Sequence, residues 1–227
     1  MKTLHRAEQI TPTQRMLNMW AIVLIMWAFY RAHFKTELPM WVDEFVAKPL
    51  IFITPLWYYI QKYEHHHNVL TALSFKLKGL KWDIVIGLLV GAIFFIGGAS
   101  ANYMKYQTIF PKNPIYLGHY NMFLLIAVAI ASAITEEILM RGFVLKRLYE
   151  ESKQIFRSAF FVSFLFFFLH IPILFTSKDI TGYTILQVMA TDLALSLCVS
   201  LLYLQRRNIA LPIIIHVLYN LSLYLFL

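Results

Sequence analysis

Residues 122–141 read MFLLIAVAIASAITEEILMR, an apolar run broken by two adjacent carboxylates, Glu136 and Glu137, with Arg141 four positions after the second. A charged side chain at the centre of a bilayer helix costs about 2.5 to 3.5 kcal/mol on insertion scales, so two acids side by side in such a run are candidates for function. Apolar runs recur along the 227 residues, which are 59% hydrophobic and 14% charged. Runs of about 18 or more span a hydrocarbon core. The fold class is therefore all-α, a polytopic membrane bundle; consecutive Leu, Ile, Phe and Ala do not give the short alternating strands of a β-barrel.

Seven spans are expected, at about 17–32, 45–60, 82–101, 121–149, 155–175, 183–204 and 209–227. The first lacks a small-residue cleavage site and reads as an uncleaved anchor. With the N-terminus cytoplasmic, fourteen of the twenty Lys and Arg fall in inside segments, the basic stretch from Arg141 to Arg157 among them. The other six, including Arg31 and Lys48, fall outside or at the span ends next to it. The net charge of +8 is thus a topology signal and not a nucleic-acid footprint. Between the first two spans a mixed-charge loop holds Lys35, Glu37, Asp43 and Glu44, and Pro49 and Pro55 should kink the second span. His65, His66 and His67 read as a solvated loop, since neighbours in sequence point to different faces. Gly87 and Gly91, four apart, together with Gly97 and Gly98, predict close packing of the third span against a partner. The lone Cys198 permits no intramolecular disulfide. One membrane domain, 1–227, is the simplest organisation, with N-terminal helices over 1–120 and a core over 121–227.

Counting along the hairpin between the fourth and fifth spans brings chemistry together. From residue 153, Glu136 lies seventeen positions back and His170 seventeen forward, so an equal rise per residue sets them at one depth. The alternative for His170 is a helix-end residue, because Pro172 follows. In the last hairpin, turning at Arg207, His216 and Asn220 are four apart and share a face. Asp192 is roughly level with Ser222, and either orients Asn220 or a water or simply ties two helices together. Adjacent helical residues point about 100° apart, so the two glutamates have different jobs. Glu137, four before Arg141, is placed for an ion pair, and Glu136 is left to face a cavity.

Glu136-Glu137-x-x-x-Arg141, Phe166-x-x-x-His170 and His216-x-x-x-Asn220, in this order on separate helices, resemble the motifs of the CPBP intramembrane proteases, the family of CAAX prenyl endopeptidases and bacterial Abi-type proteins. The resemblance covers about 121–227. It implies a multi-pass cell-membrane endopeptidase, bacterial by its compact length, acting on a membrane-associated or lipidated peptide or protein in the lipid bilayer. It further implies that Glu136 is the general base for water, that His170 holds that water, and that His216 and Asn220 donate to the oxyanion. Glu137 and Arg141 would support the site, and Phe166 would pack beside His170. No cofactor is favoured; zinc is the alternative, although no His-Glu-x-x-His pattern is present and an amide is a poor zinc ligand.

Two other functions fit the same residues. A non-catalytic immunity or scaffold protein could keep buried Glu–Arg and His–Asn pairs for stability, and a transporter could use them as a proton relay. The absence of a repeat between the two halves weighs against the transporter. Because Arg141 begins a basic stretch, water is expected to enter from the cytoplasmic side.

Overall fold

A computed structural model describes residues 10–34, 38–64, 72–111, 121–176 and 182–226. His65, His66, His67, Lys35 and Glu37 lie outside the described residues. Among those described there are seven helical rods and no strand. They are α1 (Pro12–His33), α2 (a continuous rod from Met40 to Glu64), α3 (Leu80–Tyr106), α4 (Met122–Ser152), α5 (Ile155–Thr176), α6 (Tyr183–Arg206) and α7 (Ala210–Phe226). Their bounds follow the seven expected segments, with α2 and α3 extending furthest beyond them. By length and composition α3, α4, α5 and α6 can each cross a membrane, and α7 is a shorter apolar helix.

The helix ends are set by local chemistry. Thr11 and Gln14 form a reciprocal capping box on α1, and the Asn121 side chain accepts from Leu124 N at the start of α4. Lys153 and Arg207, both with positive φ, close α4 and α6 at the two expected turns. Pro172 does not end α5, which runs on to Thr176. Nor do Pro49 and Pro55 break α2. Wide π turns over Asp43–Ala47, Pro49–Ile53 and Ile60–Glu64 alternate with α-helical turns and absorb the missing N–H groups.

Two packing units position the site. A buried cluster drawn from α1, α2, α4, α5 and the end of α6, Trp27, Phe52, Phe143 and Phe166 among its members, packs α2 against α4. On the other side α3 lies along α7, and small residues let the backbones approach. A Cβ at Gly87 would meet Ile214 at 3.0 Å, and one at Gly91 would meet Leu218 Cδ1 at 2.6 Å. The expected close packing of Gly87 and Gly91 is therefore against α7. Gly97, in contrast, faces open space.

The expected mixed-charge loop is corrected. Asp43 and Glu44 are helical and buried in α2, because each meets a cation inside the bundle: Arg31 Nη1 lies 2.7 Å from Asp43, and Lys48 Nζ 2.8 Å from Glu44. Arg31 and Lys48 are likewise buried rather than at a membrane border, and Arg141 lies inside α4 rather than in a basic loop. Taking these three out leaves thirteen basic residues in the segments expected inside and four in those expected outside.

Gly91→Leu should destabilise the α3–α7 contact by about 1 to 3 kcal/mol, the usual cost of overpacking, whereas Gly97→Ala should change stability by less than about 0.5 kcal/mol. Unfolding of the detergent-solubilised variants, followed by circular dichroism, measures both.

Candidate active site

The two glutamates stand at the junction where α4 passes from α-helical turns into a π segment over Ile138–Leu145. Both are buried, Glu137 completely. Glu137 Oε1 accepts from Arg141 Nη1 at 2.9 Å, the expected ion pair, and from His216 Nδ1 at 2.7 Å. A carboxylate only accepts, so His216 Nδ1 carries the proton in this bond. Arg141, also completely buried, donates its second terminal nitrogen to the carbonyl and hydroxyl of Ser196 on α6 and lies over the Phe166 ring, 4.7 Å from its centroid. Glu137 thus has two donors and a fixed orientation.

Glu136 points elsewhere, as the 100° step requires. Its Oε1 accepts from Lys48 Nζ at 2.6 Å and from Ser132 Oγ at 2.9 Å. Its Oε2 makes no hydrogen bond and faces two rings, 3.7 Å from His170 Nε2 and 3.7 Å from His216 Nε2. These separations exceed a direct hydrogen bond and are ones a water molecule spans. The hairpin count that set His170 level with Glu136 matches the structure, and α5 keeps its helical form at this residue. His170 Nδ1 donates to Phe166 O at 3.1 Å, which turns Nε2 toward the acids. Phe166 packs against His170 as expected, with centroids 4.6 Å apart, and also against His216 at 5.8 Å.

His216 and Asn220 share the buried face of α7. Asp192 does not orient Asn220. It accepts from the Tyr219 hydroxyl at 2.5 Å, and Tyr219 is about 100° around α7 from Asn220. The other Asp192 oxygen lies 3.8 Å from His170 Nε2, so His170 stands between two carboxylates. Lys48, Glu44, Ser132, Ser196 and Tyr219 join the cluster without having been anticipated. A signal existed for the first two: Glu44 and Lys48 are four apart, the spacing of a helical ion pair.

The layer beyond Glu137, toward the turns at Lys153 and Arg207, is closed. Leu139, Met140, Phe143, Val144 and Leu145 have no exposed surface. Glu136 is sixteen residues from the α4 terminus at Ser152, roughly 24 Å of helix. The expected route for water from a basic loop at Arg141 therefore loses its premise, because Arg141 is inside the bundle. On the opposite side, a cavity of about 370 Å³ opens between α3, α6 and α7, lined by Ile93, Phe94, Gly97, Thr191, Tyr219 and Leu223 among others. It meets the polar cluster at Tyr219, whose hydroxyl also bonds Thr191 at 2.8 Å.

Among the described residues no group of three or more His, Cys, Asp or Glu side chains is arranged to hold a metal ion. The Lys48 ammonium occupies Glu136 Oε1, and Glu137 Oε1 is shared by Arg141 and His216, whereas the second oxygen of each carboxylate makes no hydrogen bond. Removal of Arg141 leaves Glu137 without its cation, so Arg141→Met should cost about 3 to 5 kcal/mol. Denaturant titration of the purified variant, in detergent and against wild type, measures the loss.

Nothing among the curated proteins or the solved structures matches the chain. Residues 118–222 match the family model described as type II CAAX prenyl endopeptidase Rce1-like. With Lys48 and Glu44 excepted, every residue of the cluster falls inside that match, and residues 118–222 are similar to this family of peptide hydrolases.

Proposed function

We propose that the chain is an intramembrane endopeptidase in which Glu136 activates water to hydrolyse a peptide bond of a membrane-associated or lipidated protein or peptide. The observation that carries this reading is Glu136 Oε2, a buried carboxylate oxygen without a hydrogen bond, set between the Nε2 atoms of His170 and His216 at 3.7 Å each.

Water held by Oε2 and His170 gives its proton to Oε2 as the hydroxide adds to the substrate carbonyl. The oxyanion that forms is stabilised by His216 Nε2–H in its imidazolium form and by the Asn220 amide. Glu137 supports that imidazolium through its bond to Nδ1, as a buried aspartate does for the histidine of a catalytic triad. Collapse of the intermediate breaks the C–N bond, and the proton on Oε2 passes to the leaving amine, which returns Glu136 to its carboxylate. Each step uses groups of this chain and one water. No step of this sequence calls on a metal ion.

Glu136→Gln keeps size and most hydrogen bonding but removes the base. Membranes from cells expressing wild type should contain peptides or C-terminal fragments that are missing from membranes with equal amounts of Glu136→Gln, and proteomics of the two identifies the substrate. A Glu136→Gln chain that keeps the wild-type phenotype with no such fragment would instead make the protein a binding or immunity factor. Asn220→Ala, which removes one oxyanion donor, should slow fragment formation on the order of 10²- to 10³-fold. A strong chelator should leave the wild-type rate unchanged; stoichiometric zinc whose removal abolishes cleavage would sink the metal-free mechanism.

A further inference from the structure

We infer that Lys48 is a positioning residue of this active site: its ammonium holds Glu136 as the carboxylate and fixes Oε1, so that Oε2 is the oxygen turned to His170 and His216. The inference deepens the reading of Glu136 as the base and rests on it. Residue 48 lies on α2, outside the matched stretch 118–222, so the site is completed by the half of the chain that carries no family motif.

The geometry is that of a saturated ammonium. Lys48 is 3% exposed, and its Nζ has three acceptors: Glu136 Oε1 at 2.6 Å, Ser132 Oγ at 2.8 Å and Glu44 Oε1 at 2.8 Å. A charged lysine has three N–H donors and no acceptor, and three partners use all of them. Ser132 Oγ in turn donates to Glu136 Oε1 at 2.9 Å, so that oxygen takes two hydrogen bonds and the other takes none. The proton of an attacking water is thereby directed to Oε2, the oxygen beside the two imidazoles. The Trp27 ring, 5.9 Å from Nζ, covers the cation on the α1 side.

Glu44 has a definite part. When Glu136 takes up the water's proton it becomes neutral, and Lys48 would be left as a buried, unpaired cation if Glu136 were its only partner. Glu44 Oε2 lies 2.7 Å from the same Nζ, so the ammonium stays paired through that step. A lysine needed only to join α2 to α4 would be satisfied by any acceptor on α4. Here it meets the base itself, on the oxygen that the chemistry does not use.

Dicyclohexylcarbodiimide, which adds to protonated carboxyl groups in apolar surroundings, tests this without a substrate. The full chain in membranes is treated, and the modified residue is located by peptide mass mapping. Glu136 should resist in wild type and in Lys48→Arg, which keeps the cation, and should become labelled in Lys48→Met. Fragment yield, compared in the same membranes, should fall on the order of tenfold or more in Lys48→Met and recover in Lys48→Arg. Equal labelling of Glu136 in wild type and Lys48→Met would overturn the inference, as would full fragment yield from Lys48→Met. Should Lys48→Met fail to accumulate, Lys48→Met with Glu44→Met removes the pair as a neutral unit and is read in the same way. A wild-type chain with no Glu136-dependent fragment would end the peptidase reading, and the labelling would still decide the place of Lys48.

Discussion

Two adjacent carboxylates buried in one membrane helix need two cations from two directions. That requirement governs the arrangement of this bundle. An ion removed from water without a partner costs several kcal/mol, and neighbours on a helix point about 100° apart, so one cation cannot serve both. Glu137 finds Arg141 on its own helix, one turn on. Glu136 finds Lys48, which only α2 can bring. α2 enters the bundle through π turns around Pro49, buries Asp43 against Arg31 and Glu44 against Lys48, and brings that ammonium to α4.

The same division gives the two acids their separate chemistry. Glu137 takes both of its donors, Arg141 and His216, on Oε1, and Arg141 is locked in turn by Ser196 and the face of Phe166. It sets the ring of His216. Glu136 is saturated on one oxygen and free on the other, and the free one looks toward two imidazoles. Phe166, touching both rings and carrying Arg141 on its face, ties the two halves of the cluster into one packed unit. On one side that unit is closed by Leu139 to Leu145, and on the other Tyr219 separates it from the cavity between α3, α6 and α7. The polar cluster therefore adjoins that cavity at Tyr219.

Much of this was legible because helices are regular. Apolar run lengths gave the rods, equal counting from the turn at Lys153 set His170 level with Glu136, and a spacing of four paired Glu137 with Arg141 and put His216 and Asn220 on one face. Counting failed where a side chain's reach or angle mattered. Asp192, counted level with Ser222, is met by the longer Tyr219. It failed as well for buried charge, since a rule that assigns Lys and Arg to the membrane border reads Arg31, Lys48 and Arg141 as topology when all three are inside the protein.

By itself, then, the sequence determined the helical membrane class, the seven segments and the residues of the α4, α5 and α7 motifs, because period and length are properties of a single chain segment. Only the tertiary structure decided which cation stands on which acid, which oxygen of Glu136 is left open, and that α2 belongs to the site. Those are contacts between segments far apart in sequence. The pairing of Lys48 with Glu136 across 88 positions is fixed by how α2 packs on α4, which no local pattern encodes.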